Sequence, residues 1–302
     1  MSKRILFQFD CDLHPSSFDS VVAIDSGVDH LIPCAGVQPT SVEPLVHGAM
    51  FTRGGEDLKN TAIFLGGSDV GVAENLLRCV TEAFFGPVRV SVMMDANGCN
   101  TTAAAAVVAA ARHVDLDGAH AVVLGGTGPV GERVARLLVS DGASVTLTSR
   151  SRIRAQKVCD RVAKQVGKNR SDDRELPEAK LTAAEIDSPE NVAATLSQAN
   201  IVIACGAAGV QLASESDLSL AKDLAVAIDL NAVPPSGLGG VAVMDKANPI
   251  SENSGAVGYG AIGVGGLKMK THRRAIESLF ESNDKVLNAD EIFAIAKAVD
   301  KK

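Results

Sequence analysis

Residues 120–150 read HAVVLGGTGPVGERVARLLVSDGASVTLTSR, and no other stretch limits the possible folds as much. Ala121–Leu124 is a short apolar run of the kind buried on both faces of a parallel sheet. Gly126, Gly128 and Gly131 follow at G-x-G-x-x-G spacing, with Thr127, Pro129 and Val130 between them. Val130, Val134, Leu137 and Leu138 recur at helical period, Gly142 ends that helix, and Val145–Thr148 forms the next strand. In a strand, glycine turn, helix and strand so ordered, the glycines let the backbone approach a pyrophosphate whose charge sits at the helix N-terminus. The pattern predicts an α/β chain with a Rossmann-type, doubly wound parallel sheet that binds a dinucleotide.

The end of the second strand bears on which dinucleotide. A carboxylate about twenty residues past the glycines would hold the ribose 2′-hydroxyl of NAD. This chain has Thr148, Ser149, Arg150, Ser151, Arg152 and Arg154 there, with no acid before Asp160. Ser149 and Arg150 can give a 2′-phosphate charge-assisted hydrogen bonds of about 1.5–3 kcal/mol each, with Arg152 close by. NADP is therefore the expected cofactor and NAD the weaker one. Gly206-Ala207 and Asn231, at the ends of two later strands, are expected along the nicotinamide half.

A chain of 302 residues accommodates two domains. Strands are expected at Ile5–Phe9, His30–Ile32, Ala62–Leu65 and Val90–Met93, with helices at Phe18–Ile24, Val42–His47 and Val70–Phe85. These form an N-terminal α/β domain over residues 1–113. Asn100–His113, capped by Asn100 or Thr101, crosses into a dinucleotide domain over 114–262. Helices at Leu267–Ser282 and Asn288–Val299 close the chain, and residues 263–302 are expected to pack back on the first domain. Gly167–Lys180, charged and proline-containing, reads as a solvated loop. A net charge of −7 argues against nucleic acid and anionic membranes as partners. The longest small-apolar run, Ala103–Ala111, cannot span a bilayer. Six scattered cysteines without a C-x-x-C pair fit reduced thiols, and the early acid in MSKRILFQFD does not fit a signal peptide. The expected location is the cytoplasm.

Ligands of open α/β sheets sit beyond the carboxyl ends of the strands. In the first domain those ends carry Asp10, Cys11 and Asp12, then Asp95, Asn97, Asn100 and Thr101. No histidine and carboxylate pattern for a metal stands out, and no metal is expected. No G-x-S-x-G elbow is present. The loop GGTGPVG also fits G-x-x-G-x-x-G through Gly125, Gly128 and Gly131, the spacing of short-chain dehydrogenases and their non-catalytic NADP-sensing relatives. The central position of the loop argues against short-chain catalysis, as does Gly263 four residues after the only tyrosine, Tyr259. Lys268 reads as the start of a helix, where the dipole disfavours a cation, and so asks for a functional reason.

The segments FQFDCD, FTRGG, TAIFLGGSD, FFGP, DANGCNTTAAAA, GTGPVG, DLNAVPP and GAIGVGGLKMKTHR occur in that order. Nearly end to end, the chain resembles the NAD(P)-dependent methylene-tetrahydromethanopterin dehydrogenases of C1-oxidising bacteria. The resemblance implies two domains similar to amino-acid dehydrogenases, a reduced pterin substrate in the interdomain cleft, and a homo-oligomer, a trimer among the options. It implies hydride transfer from the substrate's methylene group to NADP or NAD, with methylene-tetrahydrofolate as the alternative substrate; the alternative of another class, favoured only by the second glycine spacing, is a non-catalytic NADP-sensing protein. The methenyl product is a delocalised cation, so neither a nucleophile nor a general base is required. On this reading Asp95 and Lys268 are catalytic. Asp10, Asp12, Phe18, Asn97, Asn100, Thr101 and Tyr259 contact substrate, with Phe18 and Tyr259 flanking the ring.

Overall fold

The computed structural model describes residues 2–169, 180–250 and 255–301. The chain forms two compact units, Met1–Thr101 with Lys268–Lys302, and Thr102–Leu267. The first contains β1 (Ile5–Asp10), α1 (Ser17–Asp25), β2 (His30–Cys34), α2 (Glu43–Met50), β3 (Thr61–Gly66), α3 (Val70–Glu82) and β4 (Ser91–Met94). Helix α4 (Cys99–Ala111) leads into the second unit. There follow β5 (His120–Leu124), α5 (Pro129–Ser140), β6 (Ser144–Ser149), α6 (Arg152–Asn169), β7 (Leu181–Glu185) and α7 (Pro189–Leu196). Then come β8 (Ile201–Ala204), α8 (Glu215–Leu218), β9 (Val226–Asp229), β10 (Lys246–Pro249) and β11 (Val257–Tyr259). Helix α9 (Ala261–Ser278) returns the chain to the first unit, which β12 (Val286–Leu287) and α10 (Ala289–Asp300) complete.

The first unit holds a five-stranded parallel sheet in the order β12-β4-β3-β1-β2. Every residue of β3 and β4 is buried, which is why TAIFLG and SVMM are unbroken runs rather than alternating ones. The C-terminal segment supplies the edge strand through Val286↔Val92 and Leu287↔Met93. Glu291 accepts a hydrogen bond from the Asn288 backbone N–H, starting α10 as the Asn288/Glu291 spacing predicts.

The second unit holds a seven-stranded sheet, β10-β11-β9-β8-β5-β6-β7, parallel except for the β10–β11 pair. From β7 through β11 the order is the doubly wound one, and strand order reverses between β5 and β8. Helix α5 buries Val134, Leu137 and Leu138 completely, the face its periodicity predicts. Leu196 of α7 packs in a core cluster with Val122, Leu124, Val202 and Ala204.

Three expectations are corrected here. The units divide inside α4, at Thr101, rather than after His113, and again inside α9 at Lys268. The start of α4 is capped by Asp95, whose carboxylate accepts from the N–H groups of Asn100 (2.8 Å) and Thr101 (3.0 Å), not by Asn100 or Thr101. Helix α9 begins at Ala261, not Leu267, so Lys268 lies about two turns inside it and the helix-start argument fails. Gly263, Gly265 and Gly266 read as a turn because each weakens a helix by about 1 kcal/mol. Gly263 has a packing reason instead: a Cβ there would overlap the Asp245 carbonyl oxygen. Of the charged segment expected as a loop, residues 167–169 end α6 and 170–179 lie outside the described residues.

Candidate active site

In the second unit, the turn after β5 is built by close backbone contacts. Gly125 has φ +64°, and a Cβ on it would lie 2.6 Å from Gly206 Cα, on the turn after β8. A Cβ on Gly131 would lie 2.6 Å from Gly126 Cα, so the first turn of α5 packs against the glycine loop at a distance only glycine allows. The loop is tied to β6 by Gly126 N–H to Thr148 O (3.0 Å) and Gly125 N–H to Thr148 Oγ1 (3.2 Å). Gly128 is the N-cap of α5, Pro129 follows, no side chain caps the helix, and nothing lies within 4 Å of where a Gly128 Cβ would be. The first N–H groups of α5, flanked by Thr127 and Val130, thus open onto free space suited to a phosphate. This cradle fits a dinucleotide.

At the tip of β6, Ser149 is nearly buried and its Oγ accepts from Ser151 N–H (3.3 Å), which shapes the turn. Arg150 and Arg152 are exposed and make no ion pair with any other described residue. Beyond β8, Ala207 is exposed beside Gly206. Asn231, expected on the cofactor, spends its side chain on the protein: its Oδ1 accepts from Val233 N–H (3.0 Å) and its Nδ2 donates to Pro235 O (3.0 Å). Its place is to hold the loop after β9. Asp229, which the sequence reading missed, braces the same loop by accepting from Asn231 N–H (3.0 Å) and Leu238 N–H (3.1 Å).

The first unit gathers a charged group from four places in the chain. Phe18, in the first turn of α1, is 51% exposed, and Lys268 Nζ lies 5.8 Å from its ring centroid, within cation–π range. Asp19 follows it, its N–H held by Ser16 Oγ (3.2 Å). One turn past Lys268 on α9, His272 is 1% exposed and stacks on Phe64, with centroids 5.6 Å apart and planes 22° from parallel. Asp95 directly follows β4 and is fully buried; Thr101 Oγ1 donates to it at 2.6 Å.

Burial pushes the Asp95 carboxyl up to about 6, against the Thr101 bonds and the Lys268 charge, which pull it down. Burial likewise raises Asp19, opposed by His272, Ser16 and Lys268. Burial pushes the His272 imidazole down to about 4, so it is neutral at physiological pH. One fully buried acid, one half-buried acid, one ammonium and one neutral imidazole therefore share a single electrostatic field. Sequence reasoning missed Asp19 and His272. Ser16-x-x-Asp19 is a helix-start spacing, and Lys268-x-x-x-His272 shows one helix face only once α9 is extended to Ala261.

Several expected substrate contacts are engaged within the fold. Asn100 is fully buried, its Nδ2 donating to Met94 O (2.6 Å) and Asn288 Oδ1 (3.0 Å). Thr101 is buried on Asp95. Asp10, also buried, accepts from Asp12 N–H (2.9 Å) and Ser16 N–H (3.0 Å), while Asp12 accepts from Ser68 N–H (2.8 Å) and Oγ (2.7 Å). These two aspartates, with Cys11 between them, brace the loop after β1. Tyr259 belongs to the second unit, is 2% exposed, and its hydroxyl lies 2.8 Å from His113 Nε2. It is a core residue rather than a ring-flanking one. Asn97 is exposed, with φ +52° and its N–H on Gly67 O (2.8 Å).

No described helix is long and apolar enough to cross a membrane. Residues 17–97 match the N-terminal domain model of methylene-tetrahydromethanopterin dehydrogenase, and residues 121–232 match the NAD-dependent epimerase/dehydratase family. Among solved structures, quinate dehydrogenase from Corynebacterium glutamicum in complex with NAD aligns over 97% of this chain and 98% of its own. Its TM-score is 0.55 at 14% identity, a likeness of fold. A shikimate 5-dehydrogenase from Mycobacterium fortuitum aligns over 98% of both chains with TM-score 0.52 and 14% identity. Bifunctional protein MdtA of Methylorubrum extorquens is 42% identical, covering 98% of this chain and 99% of that protein. The NAD(P)-dependent methylenetetrahydromethanopterin dehydrogenase of the same organism is 32% identical, covering 94% of each. With likeness of that extent on both units, the chain belongs to the methylene-tetrahydromethanopterin dehydrogenase family and is a hydride-transferring oxidoreductase that uses a nicotinamide cofactor.

Proposed function

We propose that the enzyme oxidises methylene-tetrahydromethanopterin to the methenyl cation, with NADP as the preferred hydride acceptor. The observation that carries this reading is the charged group of the first unit. Asp19 and Asp95 supply negative potential beside Lys268 and the exposed Phe18 ring. A substrate that becomes a delocalised cation as it loses hydride is stabilised by fixed negative potential. Lys268 donates to a carbonyl of the pterin, Phe18 offers its ring face, and Asn97 presents its amide at the edge of the group. Asp95 acts through Thr101 and the start of α4, keeping its charge without touching solvent. These residues orient the ring and exclude water, and none of them has to move a proton.

The glycine turn, the first N–H groups of α5, Ser149, Arg150 and Arg152 would hold the dinucleotide. Bound NADP supplies the hydride acceptor. Arg150, exposed at the tip of β6 where an NAD enzyme carries an acid, favours the 2′-phosphate.

The test is turnover of purified protein with NADP or NAD and each methylene-pterin in turn, followed at the methenyl and reduced-nicotinamide absorbances. Faster turnover of the methanopterin form than of the folate form is expected, with NADP the better acceptor. Tight NADP binding without turnover of any pterin would overturn the reading. Arg150→Ala should weaken NADP about tenfold or more and leave NAD nearly unchanged, as the loss of one charge-assisted bond requires. Equal losses for both cofactors would move the 2′-phosphate elsewhere.

A further inference from the structure

His272 is a buried polar ring left without a hydrogen bond among the described residues. Neither Nδ1 nor Nε2 has a hydrogen-bond partner among the described residues, and the ring is 1% exposed. The neighbouring Thr271 hydroxyl is also buried and has no partner among the described residues. Buried polar atoms without partners destabilise a fold, and in native proteins each one calls for a reason. Stacking on Phe64 is not that reason, because a phenylalanine or leucine would pack on Phe64 without stranding two nitrogens. The imidazole is kept for a bond that a phenylalanine or leucine in its place could not make.

The groups around it narrow what that bond is. On its own helix, Lys268 lies one turn back and acts on the ring as a like charge would. From α1 the Asp19 carboxylate acts in the opposite sense, and the two groups pull on each other's protons. From β4, Asp95 acts on Asp19. At the end of β3, a Cβ on Gly66 would lie 3.3 Å from Asp10 Oδ2 and 3.7 Å from Asp19 Oδ2, so the carboxylates of Asp10 and Asp19 face the same backbone bend. Asp10 is held there by two N–H donors, whereas Asp19 has only hydroxyl help from Ser16. The same Gly66 Cβ would lie 3.1 Å from the Phe64 ring on which His272 stacks, so Asp19 is an acid with unused acceptor capacity beside an imidazole with an unused donor.

Resting on the pterin reading above, we infer that His272 is a positioning residue: with substrate bound, its ring N–H donates to Asp19 and fixes that carboxylate, ionised, against the charge that develops on the substrate. Held flat by Phe64, the neutral ring supplies a donor without adding a positive charge that would oppose the product cation.

The complete chain is compared as wild type, His272→Phe and His272→Asn. The readouts are kcat and KM for methylene-tetrahydromethanopterin from pH 5 to 9, NADP Kd and thermal midpoint. H272F should keep or raise the thermal midpoint and leave NADP Kd unchanged. It should lower kcat about tenfold or more, the scale on which misplaced groups cost rate. Without the donor, Asp19 keeps its proton to higher pH, so the acidic limb of the rate profile should move upward. H272N, whose amide can donate, should restore part of kcat and return the limb toward wild type. H272F with wild-type kcat and an unmoved acidic limb would overturn the inference and leave His272 as core, its nitrogens met by buried water only. If phenylalanine proves too large to fold, His272→Leu repeats the test with the same two outcomes. A wild type inert toward every methylene-pterin defeats the pterin reading and this inference with it. An active wild type with an equally active H272F defeats this inference alone.

Discussion

The second unit makes its ligand site from backbone. Gly125 turns at positive φ against Gly206 and Gly131 closes on Gly126, and on the proposed reading the open N–H groups of α5 do the binding. The first unit makes its site from side chains that burial has pushed away from their ordinary protonation: Asp19 and Asp95 upward, His272 downward. Both sit beyond parallel strands, yet the two fail differently. A backbone site tolerates no added atom where its loops touch, as at Gly125 and Gly131, and is indifferent to pH. A side-chain site tolerates changes of shape and is sensitive to every nearby charge.

The largest effect that separates them should come from Gly125→Val. The new side chain meets both a disfavoured φ and the Gly206 backbone, so NADP binding should weaken by more than about a hundredfold, with about 1–3 kcal/mol of stability lost. Fluorescence titration and thermal unfolding check this, and retained NADP affinity would break the claim that the second site is backbone-built. Next, Lys268→Met keeps the stem of the side chain and removes its charge. The kcat/KM for the pterin should fall about a hundredfold, the scale for removing one preorganised polar group, while NADP Kd stays put. A matching loss of NADP affinity would merge the two sites.

The smallest effect is the most specific. In the folded chain Asp95 titrates near 6 against an ordinary 3.8, so the folded state holds its proton longer than the unfolded one. Between about pH 4 and 6 this group lowers stability as pH rises, and the cost is complete above 6. His272 works oppositely: neutral down to about 4 against an ordinary 6.5, it costs stability as pH falls through that window. Asp95→Asn keeps an acceptor for the α4 N–H groups and removes the first slope only. Relative to wild type, the variant should gain on the order of 1–3 kcal/mol between pH 4 and 7, read by urea unfolding at several pH values. A constant difference across that range would mean that Asp95 is already charged at the acid end.

The same contrast decides what could be read from the residues alone. β5, α5 and β6 are legible because spacing carries them: apolar run, glycines, 3.6-residue period, second apolar run. Arg150 at the tip of β6 is legible for the same reason. β7 and β11 are not, since LTAAE has no apolar run or clean alternation and VGY lies within a glycine-rich tract. The glycines of α9 hide its first two turns because propensity argues against a helix there, and the packing of Gly263 on the 245–246 backbone overrides it. Asp95, Asn100 and Thr101 could be picked out together as a strand-end cluster. Their mutual hydrogen bonds, which take Asn100 and Thr101 away from any ligand, are a property of burial that no spacing reports. Asp19 and His272 went unseen because they stand about 250 residues apart and become neighbours only when α9 meets α1, as the Lys268–Phe18 and Arg273–Asp25 contacts show.

The edge strand β12 comes from residues 286–287, although the sheet it joins is otherwise made by residue 94. Synthesis runs from the N-terminus, and a domain folds as its chain becomes available. A nascent chain that has delivered β4 must leave that strand's outer edge bare through the whole second unit, an open template for mispairing of the kind folded sheets avoid. Lys268 and His272 arrive late as well. The first unit therefore gains Lys268, His272 and its last strand from the same C-terminal segment, so a ribosome that stalls within the dinucleotide-binding half releases a chain with the two acids and neither their cation nor the closing strand.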